Sequence, residues 1–233
     1  MKKLIYVSLF FIATFNFGCT KKTESEDVST SGIEAHFVVD AYPADNRVVC
    51  QATFNLESDD NNLIELSDGD SITCNGIGMA KSGTTYSITT AYAANAEYEF
   101  SFIREGESAH TTSIQIPDAP TGISPASGAT STKGQALNVS WTPSTDVTWE
   151  SMRVSLNNGE TGDDALNATV EDPAPETGSV AFGTSQTQTS PPSTGSWSST
   201  LTLTRTKKGT RPENLSGDIF SHISVEVPVT LVD

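Results

Sequence analysis

Basic residues are scarce in this chain of 233 residues: 13 Lys and Arg stand against 29 Asp and Glu, giving a formal net charge of −16. A surface with this charge repels nucleic-acid phosphates and anionic lipid head groups. We therefore expect no nucleic-acid partner and no purely electrostatic docking to a membrane. Aromatic and β-branched residues nevertheless occur throughout the chain, so the acidity does not indicate disorder of the whole chain.

Helical patterns and catalytic motifs are lacking as well. No segment shows a convincing stripe of apolar residues at the three- and four-residue spacing of an amphipathic helix. The three histidines, His36, His110 and His222, lie far apart in the sequence. None of them belongs to an HExxH zinc motif, and the chain has no GxSxG nucleophile elbow. The sequence therefore predicts a protein that is not an enzyme, with no catalytic residue and no cofactor.

Long apolar runs are absent except at the N-terminus, where the chain reads MKKLIYVSLFFIATFNFGC. Two lysines precede an apolar run over residues 4–15, which is the layout of a secretory signal. A membrane-spanning helix needs about 20 apolar residues, and this run is shorter. We therefore predict that the protein is exported and that residues 1–18 are a signal peptide.

The end of this segment resembles the lipobox of bacterial lipoproteins, in which a small residue directly precedes a cysteine. Gly18 and Cys19 match that core. The resemblance implies that Cys19 is the lipidation site and the first residue of the mature protein, held in the bilayer by its acyl chains. Because Thr20 replaces the aspartate that commonly retains lipoproteins in the inner membrane, the resemblance favours the outer membrane, on its periplasmic or its surface face.

Cysteine is rare, with three residues in the whole chain. If Cys19 carries lipid, Cys50 and Cys74 remain as one pair in a chain bound for an oxidising compartment. Both occupy apolar positions of alternating segments. We therefore expect a disulfide between them, closing a loop of about 25 residues and contributing roughly 3 kcal/mol to stability.

From residue 33 onward, apolar and polar residues alternate with period two, which is typical of half-buried strands. The pattern predicts a first β-sandwich domain over residues 33–117. The polar residues before it, 19–32, are expected to form a flexible lipidated tether. The clearest apolar sets are Ile33, Ala35, Phe37, Val39 and Ala41, and then Val48, Cys50, Ala52, Phe54 and Leu56.

A cluster of prolines and glycines at IPDAPTGISPASGA predicts a domain boundary, with a second domain over residues 118–233. The segment ALNVSWTPS places Leu137, Val139 and Trp141 on one face. It resembles the second strand of fibronectin type III and immunoglobulin-like modules, where a tryptophan anchors the core. The expected fold is therefore all-β, with two tandem antiparallel Ig-like β-sandwich domains. Residues 157–178 and 183–198 are rich in loop-forming residues and are expected to be long exposed loops.

Two further candidate sites remain. Carboxylates in the segment ESDDNNLIELSDGD are of the type that calcium prefers, although their spacing is not that of an EF-hand and a solvated loop explains them equally. The candidate metal ligands are Asp59, Asp60, Asp68 and Asp70. Trp149 and Trp197 lie in polar segments, where a tryptophan can stack on a sugar ring or seal the end of a sandwich.

The sequence thus favours a membrane-anchored, non-catalytic protein of the cell envelope or cell surface, acting as an interaction, adhesion or structural module. Its expected partners are the lipid bilayer and a protein or glycan of unspecified identity. A surface protein that binds glycans or calcium is the alternative, and a hydrolase comes third.

Overall fold

The structure is a computed structural model that describes residues 21–57, 59–145, 149–161, 165–173, 175–189 and 194–233, with only the backbone at positions 21, 60, 61 and 149. Apart from short 3₁₀ turns, its regular elements are β-strands. The first ten strands are β1 (Lys21–Glu24), β2 (Ile33–Tyr42), β3 (Arg47–Leu56), β4 (Asp59–Glu65), β5 (Ser71–Cys74), β6 (Ile77–Gly78), β7 (Ala80–Ser82), β8 (Thr85–Thr90), β9 (Glu97–Ile103) and β10 (His110–Gln115). The other eight are β11 (Thr121–Ser124), β12 (Ala129–Thr132), β13 (Leu137–Thr142), β14 (Trp149–Asn157), β15 (Asn167–Pro173), β16 (Ser179–Phe182), β17 (Trp197–Lys208) and β18 (Ser216–Val232).

The strands form three sheets among the described residues. The largest has eleven strands, with the order β1-β4-β3-β2-β18-β17-β14-β15 along its main path and with β7, β8 and β12 attached to it. We call it the shared sheet. A four-stranded sheet, β10-β9-β5-β6, and a three-stranded sheet, β11-β13-β16, complete the fold. The predicted all-β class with sandwich-type sheets is confirmed. No helix in the described part of the chain is long and apolar enough to cross a membrane.

The first core lies between the shared sheet and the four-stranded sheet. Alternate residues of β2 are buried, as the period-two pattern predicted. Phe37 stacks on Phe100 of β9 with ring centroids 4.8 Å apart, and Phe54 lies 4.8 Å from Phe102. Each of these rings is at most 1 % exposed. Burying a side chain of this size contributes about 1.5–3 kcal/mol, so the four rings are a main source of stability.

The second core confirms the prediction for ALNVSWTPS. Leu137, Val139 and Trp141 point inward from β13 and are 5 %, 0 % and 4 % exposed. They pack with apolar residues of β14, β17 and β18.

The last strand, β18, is 17 residues long and contributes to both cores. Its first half pairs in parallel with β2 from Ser216 to Ile223, and its second half pairs in parallel with β12. Accordingly, Ile219 and Ile223 belong to the first core, whereas Val227 and Leu231 belong to the second. β17 pairs antiparallel with β18 along its whole length. The boundary between residues 117 and 118 stays a prediction, and the structure adds that the first core includes residues from the C-terminal strand.

The structure differs from the predicted tether for residues 21–32. β1 pairs in parallel with β4, and Ser25 is fully buried. The Arg104 guanidinium donates hydrogen bonds to the main-chain oxygen of Ser25 (2.6 Å) and to the Thr30 hydroxyl (2.8 Å). The Ser25 hydroxyl donates to Asp70 at 2.6 Å. This polar segment is ordered because partners far along the chain satisfy its hydrogen-bonding groups.

A strand also occurs where a long loop was expected. β15 pairs antiparallel with β14 from Asn167 to Pro173 and buries Ala168 and Asp172. Asp172 is buried because its carboxylate accepts a hydrogen bond from the main-chain N–H of Thr177 at 2.8 Å.

Candidate binding groove on the shared sheet

Four polar side chains lie side by side on the outer face of the shared sheet. Asp40 of β2 is in register with His222 of β18, which is in register with Thr206 of β17, and Thr206 is in register with Ser151 of β14. Side chains in register on neighbouring strands point to the same face of a sheet. We call these four residues the polar row. Their sequence neighbours Ala41, Ile223, Arg205 and Met152 are buried on the opposite face.

The polar row lies in a groove with a volume of about 530 Å³, which we call the outer groove. Small-molecule sites in proteins are clefts of about 300–1,000 Å³. The other lining residues are Glu150, Arg153, Thr204, Phe220 and Ser224.

Two titratable groups of the polar row are half-buried. Desolvation by burial raises the pKa of the Asp40 carboxyl above its ordinary value, although the nearby His222 and Arg47 act in the other direction. Burial lowers the pKa of His222, and the Asp40 charge partly opposes that effect. The imidazole is therefore neutral at neutral pH, with one ring nitrogen a donor and the other an acceptor.

The contacts of His222 fix its ring on the sheet surface. Its Nδ1 lies 2.9 Å from the Thr206 hydroxyl oxygen. Its ring is nearly parallel to that of Phe220, with an interplanar angle of 13° and centroids 6.2 Å apart. The Lys208 ammonium lies 5.2 Å from the Phe220 ring centroid and forms an ion pair with Asp218 at 2.9 Å.

The polar row does not form the relay of a Ser-His-Asp hydrolase. In such a relay, the carboxylate binds one imidazole nitrogen and the nucleophilic hydroxyl binds the other. No hydrogen bond or ion pair joins Asp40 to His222 among the described residues, nor does Asp40 accept a hydrogen bond from any of them. The arrangement instead presents hydrogen-bonding groups to whatever occupies the groove.

Sequence reasoning did not find this site. The other two histidines lie elsewhere: His36 is 3.6 Å from Glu34, and His110 is 3.2 Å from Glu107. The alternation in β2 and in β18 does place Asp40 and His222 on the polar side of their strands. It does not show that the two residues are neighbours, because β2 and β18 are far apart in the sequence.

Among the described side chains, the candidate calcium ligands do not form a metal-binding group. The Asp70 side chain is only 6 % exposed and lies 3.5 Å from the Arg104 guanidinium. Asp68 is exposed, Asp59 is half-buried on β4, and the Asp60 side chain lies outside the described residues. Within the described part of the chain, no group of three or more His, Cys, Asp or Glu residues has the geometry to hold a metal ion.

Of the two candidate sugar-binding tryptophans, Trp197 is half-buried against the second core. The Lys133 ammonium lies 3.9 Å from its ring centroid. Trp197 therefore packs against the second core, and its role in sugar binding stays a prediction. The side chain of Trp149 lies outside the described residues.

The predicted disulfide is not supported, because Cys50 and Cys74 lie near each other but are free thiols in the structure. They are 0 % and 2 % exposed and meet across the first core from β3 and β5, which belong to opposite sheets. A hydrogen bond from the Cys50 thiol to Cys74, together with burial, raises the pKa of Cys50. The lipidation site Cys19 lies outside the described residues.

Comparison with known proteins identifies no family. No family model and no curated protein sequence matches the chain. One similar solved structure is that of the fibronectin(III)-like modules of CbhA from Clostridium thermocellum, with 12 % identity over 85 % of this chain and 90 % of that chain and a TM-score of 0.26. Another is that of the FN1–FN3 domains of chicken CNTN1, with 14 % identity over 87 % of this chain and 65 % of that chain and a TM-score of 0.28. These likenesses are too distant to transfer a function. The fold and the groove define the protein as a two-core β-sandwich protein with a polar groove on its shared sheet.

Proposed function

We propose that the protein is a non-catalytic interaction module of the bacterial cell envelope, anchored through acylated Cys19, and that it binds its partner in the outer groove. The observation that carries the proposal is the state of Asp40. Its half-buried carboxyl group accepts no hydrogen bond from a described residue, although it lies in a cleft of ligand size.

A carboxylate in this position is costly to the isolated protein. Partial burial removes part of its hydration, and for this reason the pKa of the Asp40 carboxyl group is raised. A partner with hydroxyl or N–H groups would donate hydrogen bonds to the carboxylate on binding. The neutral imidazole of His222 adds a second hydrogen-bonding group beside it, since Nε2 is not engaged by any described residue.

The absence of an Asp40–His222 hydrogen bond supports a binding role over a catalytic one. A general base needs a group that orients it and a hydroxyl from which it removes a proton. In the polar row only the contact between His222 and Thr206 is present.

The anchored location rests on the lipobox-like residues Gly18 and Cys19. Because β1 begins at Lys21 and pairs with β4, acylation at Cys19 would hold the first core close to the bilayer without a long spacer. The resemblance favours the outer membrane, and a protein or a glycan on either face would be within reach.

Cell fractionation tests the anchor. Cys19→Ala is expected to move the protein from the membrane fraction to the soluble fraction, whereas Thr20→Ala is expected to leave it in the membrane fraction. If Cys19→Ala protein sediments with the membranes as before, the anchor is not formed at this residue.

Site-directed crosslinking tests the groove. A photoreactive amino acid at Ser151, within the outer groove, is expected to give a discrete adduct in intact cells. The same amino acid at the exposed Thr111, on β10 of the four-stranded sheet, is the matched control and is expected to give none. Identical adducts from both positions, or none from Ser151, would contradict the assignment of the groove as the contact surface.

A further inference from the structure

We infer that the ligand of the outer groove is a neutral saccharide of two or three sugar rings, laid across the strands along the polar row. This inference rests on the proposed function, because it takes the groove to be the contact surface. The inference adds the chemical class of the ligand, which is argued from the residues that line the groove.

The first argument is the length and repeat of the polar row. Its members come from β2, β18, β17 and β14, which are consecutive in the shared sheet. Neighbouring strands lie about 4.8 Å apart, so Asp40 and Ser151 are separated by about 14 Å. The repeat of an extended chain of sugar rings is close to the strand spacing. Each ring would therefore meet the side chain of one or two strands.

The second argument is the mixture of hydrogen-bonding groups. A sugar hydroxyl both donates and accepts, and a site for it needs groups of both kinds. The Asp40 carboxylate is an acceptor, the neutral His222 ring offers one nitrogen, and the Ser151 hydroxyl can act in either sense. The hydroxyls of Thr204 and Ser224, 2.9 Å apart, extend the polar surface by one further row.

The third argument is the aromatic ring beside the polar row. Phe220 and His222 present nearly parallel rings on the same strand. The C–H groups on one side of a sugar ring pack against an aromatic surface while its hydroxyls point to the rim. A groove with one aromatic residue, a carboxylate and several hydroxyls meets both requirements of such a ligand.

The fourth argument is charge. The one Lys or Arg among the lining residues, Arg153, is already paired with Glu171 at 3.0 Å. Asp40 and Glu150 disfavour an anionic ligand. The charges of the lining residues therefore exclude an anionic ligand, and the choice of a neutral saccharide rests on the hydroxyl groups and the aromatic ring described above.

Native affinity electrophoresis of the full chain tests the inference, with separate gels containing a soluble β-1,4-glucan, a β-1,3-glucan, a mannan or a galactan. We expect retardation by at least one of these polysaccharides. Asp40→Ala and Phe220→Ala are each expected to weaken binding about tenfold or more, as the loss of a hydrogen bond to a charged group or of a packed ring does. Thr202→Ala, on the same face but outside the outer groove, is expected to bind as the unaltered protein does.

Asp40→Asn keeps the size of the side chain and replaces Asp40→Ala if the latter does not fold, with thermal unfolding as the check. Mobility unchanged in all four gels would overturn the inference, as would retardation that survives both groove substitutions. The failure of the inference is distinguishable from that of the proposed function. If no polysaccharide retards the protein but the Ser151 probe still gives a protein adduct, the groove binds a protein and only the saccharide assignment is wrong.

Discussion

Arg205 and Glu176 form a fully buried ion pair, with Arg205 Nε 2.6 Å from Glu176 Oε1 and side chains 1 % and 0 % exposed. Glu176 Oε2 also accepts hydrogen bonds from the Trp141 indole N–H at 2.8 Å and from the main-chain N–H of Ser144 at 3.2 Å. The Arg205 guanidinium donates in addition to the main-chain oxygen of Asp118. The pair therefore ties β17 and the core tryptophan to the segment that connects the two cores.

Breaking this pair is expected to be strongly destabilising. Arg205→Met or Glu176→Gln removes one partner and should lower the free energy of unfolding by about 3–5 kcal/mol, because the remaining group stays buried without its counter-charge. Urea unfolding measures the change. Arg153→Met, which breaks the exposed pair with Glu171, is the matched control and should cost no more than about 1 kcal/mol. Equal effects at the two sites would contradict a special role of the buried pair.

Arg104 is expected to hold the N-terminal segment against the first core. Arg104→Ala removes its hydrogen bonds to Ser25 and Thr30, so residues 25–32 should lose protection against amide hydrogen exchange while β2 keeps it. Arg47→Ala, at an exposed guanidinium 3.5 Å from Asp45, is the control and should leave that segment protected. Unchanged exchange in Arg104→Ala would mean that the pairing of β1 with β4 suffices to hold the segment.

Gly217 is required where β18 meets β2. Its φ is +106°, and a Cβ added there would lie 2.0 Å from the main-chain oxygen of Ala35. Gly217→Ala should therefore lower stability by at least about 2 kcal/mol, or the melting temperature by roughly 4–8 °C for a chain of this length. At Gly76, φ is +72° but the space is open, so Gly76→Ala reports the backbone strain alone, about 1 kcal/mol. Similar losses at both positions would show that the clash with Ala35 is relieved.

The two core thiols are expected to be inaccessible but reduced. In a Cys19→Ala background, Cys50 and Cys74 should not react with a maleimide in the folded protein, because they are 0 % and 2 % exposed. After unfolding without reductant, mass spectrometry should find both labelled. Thr111→Cys, at an exposed position, should react in the folded protein and serves as the control. Labelling of neither core cysteine after unfolding would show that they are bonded to each other.

Stability should depend on pH through His222. Burial holds the pKa of His222 below its ordinary value, so the unfolded chain binds this proton first as the pH falls through about 6.5. The free energy of unfolding should therefore decrease below that pH, until the folded protein also binds the proton. His222→Gln removes this contribution, and urea unfolding at about pH 7.5 and about pH 5.5 should show a smaller difference for the variant. Equal differences for the two proteins would contradict the predicted linkage.

Asp40 is expected to have the opposite effect on the pH dependence of stability. Because burial raises its pKa, the folded protein keeps this proton to a higher pH than the unfolded chain does. Its favourable contribution is complete below its ordinary pKa of 3.8 and is lost as the pH rises through the folded-state value. In Asp40→Asn, the unfolding free energy should therefore fall less than that of the unaltered protein as the pH rises from about 3 to about 6. Titration of stability over that range measures the difference, and superimposable curves would exclude a raised pKa.

The alternation of apolar and polar residues correctly predicted which side chains are buried within single strands. The apolar phase of β2 and β3 placed their side chains correctly, and the tryptophan in ALNVSWTPS predicted a core anchor at Trp141. These predictions succeeded because a strand with one buried face has an apolar residue at every second position, and this pattern is visible in the sequence.

Features that depend on distant partners escaped prediction. Residues 25–30 have no apolar pattern, and their order comes from Arg104 and Asp70, far along the chain. The sequence of β15 is typical of a polar loop. Its Asp172 is nevertheless buried, because the carboxylate accepts a hydrogen bond from the main-chain N–H of Thr177. The polar row exists only once β2, β18, β17 and β14 are in register, and β2 and β18 are far apart in sequence, so no turn between them fixes their register.

The order of synthesis has a consequence for a protein whose last strand completes its first core. Leu215, Ile219 and Ile223 emerge from the ribosome long after β2, and the pairing of β2 with β18 cannot form until they arrive. A growing chain therefore keeps its first core incomplete, with hydrophobic side chains accessible to chaperones, until β18 has been synthesised. Closure then occurs through contacts of very large sequence separation, and such contacts form slowly.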